Sequence, residues 1–348
     1  MSDEFRTLLK TVGSGPRTAK NLNRPQAKRA LHLMLTNGAT PAQIGAFFIA
    51  HRIKRPTGEE LAGFLDTFEA LGPQISELEG TTPAVVLSNP YDGRSRTAPL
   101  SALTSLLLAT VGVPVLTHGS DSMPTKYGIP LLEVWQLLGV DWRGLSIPRV
   151  TAILQSQKVG FLYMGDHFPQ FQTLIPYRDQ VGKRPPLATA ELLWCPYQGD
   201  ARLVSGYVHP PTEKMLKTAF HCRQRERYTT IKGLEGSVDL PRDRAAIIGV
   251  HHPGQEPLER HLLHARDYNL GGPEMVYESP ERLSEEMHQL LNGEPSSLMP
   301  GVLWNGGFYL WHFGPCESLQ DGIKLTEVYI REGKLKQTLA RLQAAIAA

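Results

Sequence analysis

Cysteine is scarce in this 348-residue chain: Cys195, Cys222 and Cys316 are the only three, and no two form a CxxC pair. An odd, widely spaced set excludes a zinc ribbon and reads as reduced thiols. Long apolar runs are also missing. The longest, around Leu103 to Val115, is interrupted by Thr and Gly and is too short to span a bilayer. The opening MSDEFRTLLK is charged and has no apolar signal-peptide core, so the expectation is a soluble, cytoplasmic protein. No charge of one sign dominates, with Lys+Arg 36 against Asp+Glu 34. There is no internal repeat and no low-complexity tract. With 41% hydrophobic residues and a mean hydropathy of −0.23, the composition excludes disordered, collagen-like and coiled-coil chains. The length suggests two domains, large enough to fold without a disulfide or metal staple.

The charge is uneven along the chain. Residues 1–60 hold ten basic residues, including Arg6, Lys10, Arg17, Lys20, Arg24, Lys28 and Arg29, against the acids Asp3, Glu4, Glu59 and Glu60. This excess reads either as a solvated helical surface or as a basic face for a phosphate-rich partner.

The first 73 residues read as helices. Arg24 to Thr36 is amphipathic, and Thr40-Pro41 opens a second helix as N-cap and first helical residue. Thr57 with Glu60 forms a capping box for a third helix that runs to Leu71. The texture then changes. Ala84–Leu87 and Val113–Leu116 read as buried strands around an apolar helix, Ser101–Gly112, which implies a parallel sheet covered by helices. Further strands are expected at 160–164, 203–208, 228–231, 245–250 and 306–311. Helices are expected at 130–138, 213–221, 258–269, 280–291 and 327–347. In such sheets ligands bind beyond the carboxyl ends of the strands, which points to loops Ser88–Thr97 and Thr117–Gly128. Both are rich in residues suited to holding an anion, and turns use the same residue types.

The stretch TPAQIGAF from Thr40 to Phe47, followed by Arg52 and by GEELAG from Gly58 to Gly63, resembles the N-terminal helical domain of anthranilate phosphoribosyltransferases. The resemblance covers about residues 5–345 and extends to the wider group that includes pyrimidine nucleoside phosphorylases. It implies an α/β fold class: a small N-terminal helical domain plus a larger α/β domain with a mainly parallel central sheet. Residues 1–73, joined by an insertion near 166–195, would form the helical domain, and 74–165 with 196–348 the α/β domain. It also implies a homodimer through the helical domain. The family's reaction moves phosphoribosyl from phosphoribosyl pyrophosphate onto anthranilate, with Mg2+ on the leaving diphosphate.

Carried over by position, the resemblance implies phosphoribosyl pyrophosphate contacts at Asn89, Asp92, Gly93, Thr97, Ser101, His118, Gly119 and Lys126. The acceptor would lie at Ser120 and Arg178, and magnesium at Ser101 and Asp239, with Glu235 nearby. The match is eroded. The family's GTGGD is Ser88-Asn89-Pro90-Tyr91-Asp92, so all three glycines are lost, and Pro90 removes an N–H donor. Its KHGN is Thr117-His118-Gly119-Ser120, without the lysine, and its acidic pair is Val238-Asp239. Ser101 either supplies a hydroxyl to the ligand or caps the following helix. His118 is either a donor to the ligand or a histidine packed at a strand end. Arg178 either faces the acceptor carboxylate or pairs with a neighbour such as Asp179. Glu235 and Asp239 are either metal ligands or loop acids. The histidines His251, His252, His261 and His264 lack a completing ligand set and read as a solvated helix. Lys214, Lys217, Arg223, Arg225 and Arg227 either line the cleft or cover a helix.

Three functions remain open. One is a phosphoribosyltransferase acting on an aromatic or other small acceptor. A second follows a divergent branch that this chain resembles. That branch keeps the fold, lacks a full phosphoribosyl pyrophosphate site and binds nucleic acid through basic residues, here Lys20, Arg24, Lys28 and Arg29. The third is a nucleoside phosphorylase, whose lysine and glycines are absent here.

Overall fold

The computed structural model describes residues 3–15, 17–80, 82–255 and 257–348. Four helices come first: α1 (Asp3–Gly13), α2 (Arg24–Leu35), α3 (Pro41–Lys54) and α4 (Gly58–Leu71). Asn23, Thr40 and Thr57 cap the last three, each in a reciprocal box with Gln26, Gln43 or Glu60. The expected helix starts at Thr40-Pro41 and Thr57 are therefore present.

The α/β part begins with β1 (Ala84–Leu87), α5 (Ser101–Thr110), β2 (Val115–Gly119), α6 (Leu131–Leu137), α7 (Ile147–Gln157) and β3 (Val159–Tyr163). Four short helices follow: α8 (Met164–His167), α9 (Pro169–Gln172), α10 (Ile175–Val181) and α11 (Leu187–Glu191). Then come β4 (Ala201–Gly206), α12 (Pro210–Cys222), β5 (Tyr228–Ile231), β6 (Ala246–His251) and β7 (Glu259–Leu263). Helices α13 (Pro280–Leu291), α14 (Met299–His312), α15 (Leu319–Arg331) and α16 (Lys334–Ala347) complete the chain. The sheet order is β3-β2-β1-β4-β5-β6-β7; the first five strands are parallel, and β6 and β7 run antiparallel.

Successive residues of a strand face opposite sides, and β1 shows what each side covers. Val85 and Leu87 join a core with α5, α14 and α16, whereas Ala84 and Val86 join one with Phe64, Phe68 and the helical block. Helices α10 and α11 pack on α3 and α4, so the 166–195 region lies against the N-terminal helices.

Three expected elements are different. Residues 306–311 lie inside α14, not in a strand. Gly306 and Gly307 sit so close to α15 that a Cβ would meet Thr326 and Ile323 at 2.5 and 2.4 Å, and the apolar run belongs to a buried helix crossing. Residues 258–269 form the edge strand β7 and a 3-10 turn rather than a helix. The expected 327–347 helix is two helices, because Gly333 adopts φ 68° between α15 and α16.

The helical block is tied together at Glu60. Its carboxylate accepts from Leu22 N at 2.9 Å, Thr57 N at 2.7 Å and Lys54 Nζ at 2.8 Å, with His51 Nε2 at 3.4 Å. Burial alone would raise this carboxyl, but the contacts from His51, Lys54 and Leu22 outweigh it and hold it at about 2. A depressed folded-state pKa gives stability that is present above the unfolded value and lost as pH falls. Glu60 therefore contributes in full above about pH 4.5, and the contribution fades toward pH 2. Urea unfolding between pH 5 and pH 2.5 should show a steeper loss for the wild type than for Glu60→Gln, by about 2 kcal/mol at the acid end.

Candidate functional site

At the carboxyl ends of β1 and β2 the chain turns through its two polar loops. Gly93, at φ 74°, lets these loops touch backbone to backbone, since a Cβ there would meet Gly128 at 2.4 Å. Arg94 N donates to Ile129 O at 3.0 Å, and Ile129 N donates to Arg94 O at 2.8 Å. Gly93 N is itself committed to Pro90 O at 3.0 Å. The surviving glycine of the loop thus serves loop packing.

The centre of the cleft is a buried charge cluster. The Arg94 guanidinium, 2% exposed as a residue, donates through Nη1 to Asp239 Oδ2 and, at 3.1 Å, to Ser237 Oγ. Its Nη2 donates to Thr97 Oγ1, and Nε lies 3.7 Å from Glu235 Oε1. Asp239 has further partners. Oδ2 also accepts from Leu100 N at 2.9 Å, and Oδ1 lies 3.2 Å from the Ser101 hydroxyl. That hydroxyl is 2.7 Å from Asn89 Oδ1. Ser101 is the first residue of α5 and makes no cap, so its side chain faces the cluster.

Glu235 is equally engaged. Oε1 accepts from Arg96 N and Thr97 N, both at 3.0 Å, and Oε2 from Ser95 N at 3.2 Å and Lys126 Nζ at 3.0 Å. Burial pushes this carboxyl up, but Lys126 and the Ser95 and Arg96 amides hold it at about 2. Glu235 sits at φ 54°, ψ 21°. That left-handed conformation costs a non-glycine residue about 1–2 kcal/mol. Neither acid is the exposed loop carboxylate that the sequence left open.

Magnesium does not fit this arrangement. A phosphate-bound magnesium needs free carboxylate oxygen, yet three of the four oxygens of Asp239 and Glu235 accept from protein N–H groups, and the fourth, Asp239 Oδ1, lies 3.2 Å from a Ser101 hydroxyl shared with Asn89. Among the described residues no group of three or more His, Cys, Asp or Glu is placed to hold a metal ion. Lys126, expected among the phosphoribosyl pyrophosphate contacts, pairs with Glu235. Asp92 lies apart from the cluster, 1% exposed and 3.6 Å from the Arg184 guanidinium.

The acceptor side is buried as well, with Arg178 Nε and Nη2 and Glu191 Oε2 left without a hydrogen-bond partner among the described residues. His118 is fully buried, its ring 5.6 Å from Tyr91 and 5.1 Å from Trp194. Nε2 lies 3.1 Å from Trp194 O and Nδ1 2.6 Å from Tyr91 Oη. A carbonyl only accepts, so Nε2 carries the proton and Nδ1 accepts from the tyrosine. Burial lowers this imidazole to about 4, and it is a neutral core histidine. Gly119 ends β2 against the Phe161 ring. Ser120 accepts from Gln172 Nε2 at 3.0 Å. Arg178, expected to face an acceptor carboxylate or Asp179, binds Glu191 Oε1 at 2.6 Å, both side chains fully buried. Asp179 instead accepts from Tyr127 Oη at 2.6 Å. Arg94 and Glu191 carried no motif in the sequence; only the spare arginine of the loop hinted at the first.

The basic residues are distributed differently from expectation. Arg29 is held by Glu4 through two bonds of 2.7 Å, and Arg24 by Asp66, so half of the proposed face is neutralised. Lys20 and Lys28 remain exposed. Arg24 also donates to Cys222 O, and Asp66 binds Arg223 as well, which joins α2 to the basic end of α12. Of the basic stretch, Lys214 and Lys217 lie on α12 and Arg223 pairs with Asp66 and Glu69 of α4, while Arg225 and Arg227 are placed differently. They open onto two depressions of about 580 and 390 Å³ at the amino ends of the parallel strands, opposite the cleft. The depressions share Tyr228 and His251, whose rings stack at 4.7 Å. Arg202 crosses the Phe313 ring at 5.9 Å. His261 lies on β7, not on a helix, and pairs with Glu259.

Comparison with known proteins agrees with this fold. The helical bundle domain of the glycosyl transferase family matches residues 6–72. An uncharacterized protein of Aquifex aeolicus is 27% identical over 88% of this chain and 93% of its own length. The anthranilate phosphoribosyltransferase of Symbiobacterium thermophilum is 26% identical over 97% of each chain. Among solved structures, the Thermus thermophilus anthranilate phosphoribosyltransferase superposes with a TM-score of 0.80 at 18% identity, covering 99% of this chain and all of that one. The Saccharomyces cerevisiae enzyme in complex with PRPP and Mg gives 0.82 at 13% identity, covering 99% and 98%. Over nearly its whole length the chain is similar to anthranilate phosphoribosyltransferases in sequence and shares their fold.

Breaking the cluster should be costly, because removing one partner leaves buried charge without compensation. Arg94→Met, which keeps the length of the side chain, is expected to lower the unfolding free energy by about 3–5 kcal/mol in urea titrations. A loss below about 1 kcal/mol would show that water or a cation takes over the guanidinium's place.

Proposed function

We propose that this chain is a non-catalytic relative of the anthranilate phosphoribosyltransferases that binds nucleic acid along its basic side. The observation that carries this reading is the continuity of cationic groups from α2 to the amino ends of the sheet. Lys28 lies exposed on α2, Arg24 and Arg223 meet at Asp66, and Arg225, Arg227 and Arg202 follow around the two depressions. Among the described residues, Lys28, Arg225 and Arg202 have no acidic partner. Cations spaced along a groove neutralise successive phosphates and release counterions. The filled cleft supports the same reading, since it removes the competing chemistry. Pairing of two copies through the helical domain, as in the family resemblance, would extend the track.

The alternative is phosphoribosyl transfer to a small acceptor. It is favoured by the survival of Asp92, Ser101 and Asp239 at the family's positions. Its requirement for magnesium on Asp239 conflicts with the Arg94 contact.

Fluorescence anisotropy with a labelled single-stranded 20-mer separates the two readings. Binding should weaken linearly in log salt. Lys28→Ala/Arg202→Ala/Arg225→Ala should flatten that slope by about 2, from roughly 0.7 per phosphate contact on single strands. Arg29→Ala, whose charge is already paired with Glu4, should leave the slope unchanged. No binding, or an unaltered slope in the triple variant, would transfer the case to the transferase.

A further inference from the structure

We infer that the smaller of the two depressions, about 390 Å³, is a pocket for the phosphate monoester at the end of a nucleic-acid strand. It lies at the amino ends of β4 and β5, away from the cleft, and its volume falls inside the range of about 300–1,000 Å³ usual for ligand pockets. Four elements bring donors to it. Arg202 comes from β4, Arg227 from the residue before β5, His252 from just past β6 and His312 from the last turn of α14. A planar carboxylate presents its two oxygens in one direction. Donors arriving from four elements suit the tetrahedral oxygens of a phosphoryl group.

The charges around the pocket are unbalanced. Arg202 crosses the Phe313 ring, a contact that uses none of its N–H groups, and among the described residues its guanidinium has no acidic partner. His312 Nε2 is 2.9 Å from the Thr229 hydroxyl, and the chargeable groups nearest its ring are His261, Arg202 and His252. Burial and these three neighbours lower His312 to about 3, so the ring is neutral. A bound anion offsets that cost and draws a proton onto it. His251 on β6 is turned away through Nδ1, 2.6 Å from Glu226 O. Two acids stand nearby: Asp200 offsets Arg227 at 3.2 Å, and Glu259 on β7 holds His252 at 3.0 Å and His261 at 3.2 Å.

Glu259 gives the pocket a direction. The larger depression, with Arg225, adjoins this one through Tyr228 and His251, so a strand lying across Arg225 reaches Arg202 next. Beyond His252 the Glu259 carboxylate repels further backbone phosphate. The last phosphate of the strand therefore meets Arg202 and His312. A terminal monoester carries about −1.5 to −2 near pH 7, against one negative charge for an internal phosphate. This inference rests on the nucleic-acid reading of the basic side and adds the strand end to it.

Anisotropy with three internally labelled 20-mers of one sequence tests it: one with a 5′-phosphate, one with a 3′-phosphate and one with hydroxyls at both ends. At fixed salt a phosphorylated end should tighten binding about tenfold, the worth of one charge-assisted contact. His312→Gln, which keeps a partner for Thr229, should bring the phosphorylated strands to the affinity of the hydroxyl-ended one. If His312→Gln does not fold, His252→Gln, at a half-exposed position, takes its place and should reduce the preference. Equal affinity of all three strands would overturn the end pocket and leave the nucleic-acid reading standing. A preference unchanged in the variant would place the terminal phosphate elsewhere and overturn the pocket too. A free nucleoside 5′-monophosphate that binds more tightly than the phosphorylated strand would overturn the strand-end assignment in favour of a soluble ligand. No binding of any strand would overturn the nucleic-acid reading itself.

Discussion

The contact between Arg94 and its two carboxylates, Asp239 and Glu235, is the constraint on which the cleft depends. It ties together the loops after β1 and β5, and Lys126 brings in the loop after β2. Taking four charges out of water is expensive, and ion pairing alone rarely compensates. The cluster is tenable because backbone amides and hydroxyls satisfy its remaining lone pairs: Leu100 N and Ser101 at Asp239, and the amides of residues 95–97 at Glu235. Three loops are thereby fixed by protein atoms alone. The buried pair of Arg178 and Glu191 lies on the neighbouring side of the cleft without such support, since Arg178 Nε and Nη2 and Glu191 Oε2 have no hydrogen-bond partner among the described residues.

This closure changes what the surviving family residues mean. Ser101 and Asp239 keep their positions, but their oxygens serve Asn89, Leu100 and Arg94. His118 keeps its place and is a packed aromatic-cluster residue whose two nitrogens are both engaged inside the protein. Retention of a residue type is thus no guide to retention of its task. The cleft is taken up by its own side chains, while Lys28 on α2 and Arg202 and Arg225 at the opposite end of the sheet have no acidic partner among the described residues.

The fold was legible because its signals are local. The capping pairs at Thr40 and Thr57, the all-buried run at Ala84–Leu87 and the strand at Tyr228–Ile231 each follow from a few adjacent residues. Where the sequence misled, the cause was tertiary. Residues 306–311 are apolar all round because α14 is buried on every side, and that pattern resembles a buried strand. At 258–269 an edge strand carries Arg260 and His261, whose pairing with Glu213 and Glu259 outweighs the helical spacing. The candidate site was legible as a place and not as a mechanism. Its loops and the erosion of its motifs could be read from residue types. The roles of Arg94 and Glu191 depend on partners 145 and 13 residues away, which no spacing rule reveals.

The central claim is that the cleft's cation and anion positions belong to the protein. A crystal structure of the full chain grown in millimolar phosphoribosyl pyrophosphate and magnesium tests it most directly. The account predicts Arg94 on Asp239 and Glu235 in the amides of residues 95–97, with no diphosphate density between them. Density for magnesium on Asp239 with Arg94 displaced would contradict it.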